Sequence, residues 1–174
     1  MMSRIQLCRR GLAFAAVFAV ALLAAACASK PNDTLAGAGG AGFGANGGRG
    51  GPPGSVGDFT VNVGDRVFFT TDSTDLTPTA RQTLDRQAAW LQRYRQYPIT
   101  IEGHADERGT REYNLALGAR RAQVVHDYLV ARGVPAGRMH TISYGKERPV
   151  ATCDEERCWD LNRRAVTVLS GPTG

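Results

Sequence analysis

Asp106 and Arg121 are the residues of this sequence whose types and spacing point most directly to chemistry. They lie in a charged stretch, residues 101–122, that passes from a loop into an amphipathic helix. A carboxylate accepts hydrogen bonds from an ammonium group, and a guanidinium presents a planar pair of donors that fits a carboxylate. Side by side in one pocket, the two side chains would recognise a zwitterion such as an amino-acid centre.

Helical spacing adds Asn114 and Gly118 to this candidate site. We expect Asn114 to cap the helix that follows the loop, and Gly118 and Arg121 then share its face. Glycine inside a helix costs about 1 kcal/mol relative to alanine, so Gly118 indicates that something approaches this face closely. In the alternative interpretation, Asp106 and Arg121 simply pair with each other across the loop.

The elements around this helix are predicted in the order strand, helix, strand, helix, strand, strand. This order predicts an α/β fold with one mixed four-stranded sheet and both helices on one face. Thr77-Pro78 is predicted to begin the first helix, and Tyr97-Pro98 is predicted to end it. Gly133 is predicted to end the second helix as its C-terminal glycine. The predicted strands are residues 61–69, 99–101, 141–144 and 165–169.

Residues 1–26 have the layout of a secretory signal. Basic residues precede an apolar run over residues 11–26, which is shorter than the roughly 20 residues of a membrane span. Small residues then lead to Cys27, a pattern that resembles the acylation site of bacterial lipoproteins, although Ala24 stands where leucine is usual. We predict that residues 1–26 are removed and that Cys27 is lipidated; cleavage before a free Cys27 is the alternative.

Residues 27–57 are predicted to be the lipidated N-terminus and a flexible tether, because glycine and alanine dominate and large side chains are nearly absent. Such a segment buries too little apolar surface to offset the entropy of ordering. Residues 58–174 then form one domain of ordinary size. The charges of this domain nearly balance, so the overall charge of +5 does not indicate nucleic-acid binding.

Cys153 and Cys158 are the two cysteines of the predicted domain. Disulfides persist in exported chains, so we expect this pair to close a small loop. Metal ligation is the rival interpretation, but no histidine pair lies nearby to complete a site. His104 could be taken for a ligand together with Asp106, yet His126 and His140 lack ligand spacing. We therefore expect His104 to be a hydrogen-bonding loop residue.

The motifs EGHADERGTREYNLALGARRA (102–122), SYGKERP (143–149) and NRRAV (162–166) closely resemble the peptidoglycan-associated lipoproteins, within the larger family of outer-membrane-protein-A-like (OmpA-like) domains. The similarity extends over about residues 65–169. It implies an OmpA-like two-layer sandwich that binds the peptide stem of peptidoglycan non-covalently through diaminopimelate. It implies no catalytic activity, no metal and no cofactor.

The resemblance also assigns roles to individual residues. Asp106 would hold the ammonium group of diaminopimelate and Arg121 a carboxylate. Asn114 would hydrogen-bond the same diaminopimelate residue, and Asp72 would line the pocket. The chain has Thr70 and Thr71 where relatives commonly carry acidic or aromatic residues before the position of Asp72. For Asn162, Arg163 and Arg164, ligand contact and solvated charges remain equal alternatives, and Arg108, Arg111 and Arg120 are expected to be solvated surface or partner contacts.

The partners implied by the resemblance are peptidoglycan, TolB and possibly TolA, with the outer membrane reached through the lipid anchor. The domain would then lie in the periplasm and contribute to envelope integrity and cell division. An OmpA-like envelope anchor without Tol partners is the main alternative. A motor-stator subunit would need a membrane helix with an ionisable residue, which the run 11–26 lacks. A hydrolase using Asp106 and Glu107 is a minor hypothesis, because adjacent residues seldom flank one bond.

Overall fold

The computed structural model describes residues 50–171. The predicted leader, Cys27 and residues 28–49 of the predicted tether lie outside the described residues. No helix within residues 50–171 is both long and apolar enough to cross a membrane. In chain order the elements are α1 (Val56–Asp58), a π-helical segment (Phe59–Gly64), β1 (Arg66–Phe68), α2 (Pro78–Arg93), β2 (Ile99–His104), α3 (Arg111–Ala131), a 3-10 turn (Ala136–Arg138), β3 (Met139–Gly145), α4 (Glu156–Asn162) and β4 (Arg164–Leu169).

The four strands form one sheet in the order β1-β4-β2-β3. Strands β2 and β3 are parallel, and β4 runs antiparallel to β1 and β2. Helices α2 and α3 cover one face, where Leu84 and Leu91 of α2 and Val125 and Leu129 of α3 pack with Ile101 of β2 in one apolar core. The predicted mixed four-stranded α/β sandwich is therefore confirmed, and α3 makes the parallel crossover from β2 to β3.

The predicted helix boundaries are only partly right. Thr77 caps α2 by accepting a hydrogen bond from the backbone of Ala80 at 3.1 Å, and Gly133 follows α3 with φ of +90°, both as predicted. Asn114 does not cap α3. The cap is Thr110, whose hydroxyl accepts from the backbone of Tyr113 at 3.2 Å, because a short hydroxyl side chain placed one turn earlier already satisfies the first free amides. Helix α2 also ends at Arg93, before Tyr97-Pro98.

The strand predicted over residues 61–69 is mostly wrong, since only Arg66–Phe68 are extended. Residues 56–64 are helical instead. The carboxylate of Asp58 accepts from the backbone of Gly54 and the side chains of Asn62 and Trp90 at 2.8 to 2.9 Å. Burial of Phe59 against Trp90 completes this arrangement, so tertiary packing overrides the β propensity of the valines.

Residues 50–57, assigned from sequence to the tether, pack against the domain. The hydroxyl of Tyr97 donates to the carbonyl oxygen of Gly54 at 2.8 Å. Gly54 has φ of +83°, and a Cβ there would lie 2.4 Å from the ring of Tyr94, so only glycine allows the chain to pass this close. The chain thus enters the domain beside the residues that lead into β2.

The cysteine loop contains a helix that the sequence analysis missed. Cys153 and Cys158 form a disulfide with Cα atoms 5.7 Å apart, and Cys158 lies in α4. The charged residues of this helix lack a clear apolar period, so the sequence indicated only a closed loop. The disulfide fastens the first turn of α4 to the loop before it.

Candidate functional site

A pocket of about 280 Å³ opens where β2 ends and α3 begins, beside the loop that follows β1. Asp72, Asp106, Asn114 and Arg121, which the sequence analysis assigned to a ligand, all lie in its wall. The pocket lies within one domain and draws on three separate segments of the chain. Its lining residues are Thr71, Asp72, Asp106, Arg108, Gly109, Tyr113, Asn114, Leu117 and Arg121.

Arg121 is fully buried and organises two walls of the pocket. Its guanidinium donates from Nε to the carbonyl of Ser73 at 2.9 Å, from Nη1 to that of His104 at 2.9 Å, and from Nη2 to that of Thr70 at 3.1 Å. Burial lowers its pKa to about 10, although the nearby negative charge of Asp106 acts to raise it. The guanidinium therefore stays protonated at neutral pH. Three of its five N–H groups are engaged, and one on each terminal nitrogen has no hydrogen-bond partner within residues 50–171.

The turn held by Arg121 presents Asp72 at the pocket rim. The backbone of Ser73 donates to the carbonyl of Thr70 at 3.2 Å, and Asp72 has φ of +53°, the one positive value among non-glycine residues in the described range. Left-handed backbone at a non-glycine residue is uncommon and clusters at functional sites. The hydroxyl of Tyr113 donates to the carboxylate of Asp72, and this bond raises the pKa of Tyr113.

Asp106 is 7% exposed and receives four hydrogen bonds from two arginines. Arg108 donates from its backbone N at 3.2 Å, from Nε at 3.2 Å and from Nη2 at 2.7 Å, and Arg163 donates from Nη1 at 3.2 Å. Burial acts to raise the pKa of Asp106, but these bonds outweigh it, so the pKa lies below its ordinary value. The partners of Asp106 are therefore Arg108 and Arg163, and the alternative of a simple ion pair with Arg121 is wrong.

Gly118 is explained by the sheet rather than by a ligand. A Cβ at Gly118 would lie 2.4 Å from Oγ of Ser143 and 2.8 Å from the carbonyl oxygen of Gly103. A close approach to this face of α3 is therefore present, as predicted, and the approaching groups are the backbone of β2 and the side chain of Ser143 in β3. The contact brings the end of β2 against α3, and pocket residues of α3 lie on both sides of it, Asn114 and Leu117 before Gly118 and Arg121 after it.

Asn162, Arg163 and Arg164 are buried, at 1%, 2% and 5% exposure, so their interpretation as solvated charges is wrong. Arg163 donates to the carboxylates of Asp106, Glu156 and Asp160 and, at 3.2 Å, to the carbonyl of Phe69. The side-chain amide of Asn162 binds the backbone of the segment before α4. These residues tie α4 and β4 to the back of the pocket.

Trp159 supports the pocket wall from outside the pocket and was not identified from the sequence. The guanidinium carbon of Arg108 lies 4.1 Å from the centre of its indole ring, and its indole N–H donates to Glu107. Arg108 was expected to be solvated surface or a partner contact, but it links Asp106 to α4. A tryptophan next to a disulfide cysteine in a charged loop was the available signal.

His104 is a buried strand residue rather than a hydrogen-bonding loop residue. It is 1% exposed, and neither ring nitrogen has a hydrogen-bond partner within the described residues. Its ring lies against Tyr144, and the nearest carboxylate oxygen, of Glu102, is 3.6 Å away. Burial, with the nearby charges of Arg164 and Arg148, lowers its pKa to about 4. No group of three potential metal ligands occurs within residues 50–171.

This buried histidine predicts acid sensitivity. Below pH 6.5 the unfolded chain protonates His104 while the native chain does not until about pH 4, so stability present above pH 6.5 is lost as pH falls across that window. We expect the loss from this residue to reach about 3 kcal/mol, and His104→Phe to remove it. Denaturant unfolding at pH 7 and pH 4.5 measures the change. The control is His140→Gln, at an exposed position, and an unaltered pH dependence in His104→Phe would contradict the prediction.

The chain matches the model of the OmpA family over residues 68–161. The peptidoglycan-associated lipoprotein of Rhizobium meliloti is 62% identical over 173 residues, 97% of this chain and 93% of that protein. The protein of the same name from Brucella melitensis is 60% identical over 173 residues, 98% of each chain.

Solved structures show the same fold. The crystal structure of the peptidoglycan-associated lipoprotein from Burkholderia pseudomallei is 42% identical, with a TM-score of 0.59 over 61% of this chain and 90% of that one. The C-terminal domain of Helicobacter pylori MotB has a TM-score of 0.58 at 24% identity, over 62% of this chain and 84% of that one. The MotB likeness concerns the fold alone.

Proposed function

This chain belongs to the OmpA family and, within it, to the peptidoglycan-associated lipoproteins, and from this premise we propose that it binds peptidoglycan non-covalently in the cell envelope. The observation that carries the proposal is that Asp72, Asp106, Asn114 and Arg121 all line one pocket. A cavity of about 280 Å³ lies below the usual range for drug-sized ligands. It suits one amino-acid centre rather than a length of polymer.

The charges of the pocket favour the side-chain end of diaminopimelate, which carries an ammonium and a carboxylate on one carbon. The free N–H groups of Arg121 would donate to the carboxylate, and the Asp106 and Asp72 carboxylates would accept from the ammonium. Asn114 lines the same pocket, with its amide Nδ2 donating to the carbonyl of Arg108 at 2.7 Å. Lysine at the same position of a stem peptide offers the ammonium alone and so satisfies half of this site.

The proposed setting is the periplasmic side of the outer membrane. Lipidation at Cys27 would hold the chain in that membrane, and residues 28–49 would let the domain reach the cell wall. In this role the protein performs no catalysis and anchors the membrane to peptidoglycan as part of the Tol-Pal system, with TolB and possibly TolA as partners. The alternative is an anchor without Tol partners. Co-purification of TolB with the chain separates the two.

Binding to purified sacculi tests the proposal. The mature chain, residues 27–174 with Cys27→Ser to prevent lipidation, should be retained by diaminopimelate-containing sacculi and released by free diaminopimelate. Asp106→Asn should weaken retention roughly 10-fold or more, because a hydrogen bond to a charged group contributes about 1.5–3 kcal/mol. The matched control is Asp127→Asn, at an exposed position in α3. Absence of retention, or equal competition by a stem peptide with lysine in place of diaminopimelate, would overturn the two-charge recognition.

A further inference from the structure

Asp106 has no free acceptor position in this structure. A carboxylate offers about four lone-pair sites. Arg108 occupies both on Oδ1, through its backbone N and Nε, while Oδ2 accepts from Nη2 of Arg108 and Nη1 of Arg163. An ammonium group that binds Asp106 must therefore displace one of these donors.

Arg108 is the donor that can leave. The side chain of Arg163 is 3% exposed and is also held by Glu156, Asp160 and the carbonyl of Phe69. The side chain of Arg108 is 39% exposed and forms part of the pocket wall. Its guanidinium can turn into solvent as the ammonium group of a ligand takes its place beside Asp106, whereas that of Arg163 is buried and held by three further groups.

Trp159 is the main contact that holds Arg108 in place apart from Asp106. The indole ring centre lies 4.1 Å from the guanidinium carbon, while the one further side-chain hydrogen bond of Arg108 within residues 50–171, to Oγ1 of Thr71, is 3.5 Å long. Trp159 is itself fixed by Glu107 through its indole N–H and by α4. It does not line the pocket, so its influence on a ligand passes through Arg108.

We propose that Trp159 is a positioning residue of this pocket: it holds Arg108 over Asp106, and the ammonium group of a ligand binds only by displacing Arg108 from that position. The inference rests on the proposed function of the pocket. Displacement of Arg108 costs binding free energy, which ligands with a carboxylate for Arg121 can offset and lone amines cannot. The covering arginine thus adds discrimination by disfavouring the wrong ligand.

The direction in which one substitution changes the ligand affinity tests this inference. Trp159→Ala in the mature chain with Cys27→Ser should bind a soluble diaminopimelate-containing stem peptide about three-fold more tightly, the equivalent of an exposed cation–π contact. Trp159→Phe should return the affinity toward that of the wild type, because the ring face is kept. Leu161→Ala, at an exposed residue of the same helix, should leave the affinity unchanged. A merely structural role for Trp159 predicts weaker binding in Trp159→Ala, the opposite sign.

Isothermal titration calorimetry measures these affinities, and two further titrations connect the effect to Arg108. The same peptide with its side-chain amine acetylated needs no displacement, so its affinity should be equal in wild type and Trp159→Ala. With Arg108→Met as the background, Trp159→Ala should add no further tightening. If the wild type binds the unmodified peptide and Trp159→Ala binds it equally or more weakly, the role of Trp159 is refuted. The proposed function of the pocket is not affected by that result. Failure of the wild type to bind would instead refute the proposed function of the pocket.

Discussion

Gly103→Ala is expected to destabilise the domain by about 3 kcal/mol or more, because the new methyl group has no space. Its Cβ would lie 1.8 Å from the carbonyl oxygen and 2.6 Å from the carbonyl carbon of Gly118. Both are backbone atoms of α3, so relief requires the helix and β2 to move apart along their shared contact. Ala122, whose Cβ would be 3.2 Å away, blocks a sideways shift.

Guanidinium chloride unfolding of Gly103→Ala against the wild type measures this loss. Gly137→Ala is the matched control, because a Cβ at Gly137 meets no atom within 4 Å and the substitution should change the free energy of unfolding by less than about 0.5 kcal/mol. A loss below about 1 kcal/mol for Gly103→Ala would mean that α3 and the sheet separate easily, contrary to the tight contact described above.

Arg121→Met is expected both to abolish ligand binding and to lower the free energy of unfolding by about 3 kcal/mol. The substitution keeps an apolar stem but removes the donors that satisfy the carbonyls of Thr70, Ser73 and His104. A polar group left unpaired costs about 1–3 kcal/mol, and water can reach some of these groups once the guanidinium is gone. The turn that presents Asp72 then loses two of its fixed points.

Calorimetric titration with the stem peptide and denaturant unfolding separate the two effects of Arg121→Met. Arg121→Lys should recover part of the stability, because an ammonium can donate to some of the same carbonyls, but little of the affinity, because the planar fork is lost. Asp106→Asn provides the comparison of a pocket residue without contacts to the turn. A stable Arg121→Met protein that still binds the peptide would contradict both the structural and the binding role of Arg121.

The strand and helix order was predictable because it rests on local patterns. Alternation in β2 and the apolar period of α2 and α3 are visible within a dozen residues, and Thr77 and Gly133 mark their helix ends in the sequence itself. The helical turns over residues 56–64 were not predictable in this way. They depend on Asp58 reaching Trp90, 32 positions along the chain.

The identity of the pocket residues was also predictable, whereas their partners were not. Within the charged stretch 101–122, residue type and spacing indicate Asp106 and Arg121 as candidate ligand-binding residues. Arg163, which binds Asp106, lies 57 positions further along, and Arg121 reaches carbonyls about 50 positions before it. Gly118 shows the same limit. Its type indicated a close approach, but that the neighbour is Gly103 follows only from the register of α3 on the sheet.

The placement of β2 has a mechanical consequence. The chain enters the domain at Gly54, bonded to Tyr97 just before β2 begins, and the pocket with Asp106 lies just after β2 ends. A pull between the entering chain and a ligand held at Asp106 therefore acts along β2, a strand of six residues and about 20 Å. Because β4 and β3 flank it on both sides, two ladders of hydrogen bonds resist this tension in shear.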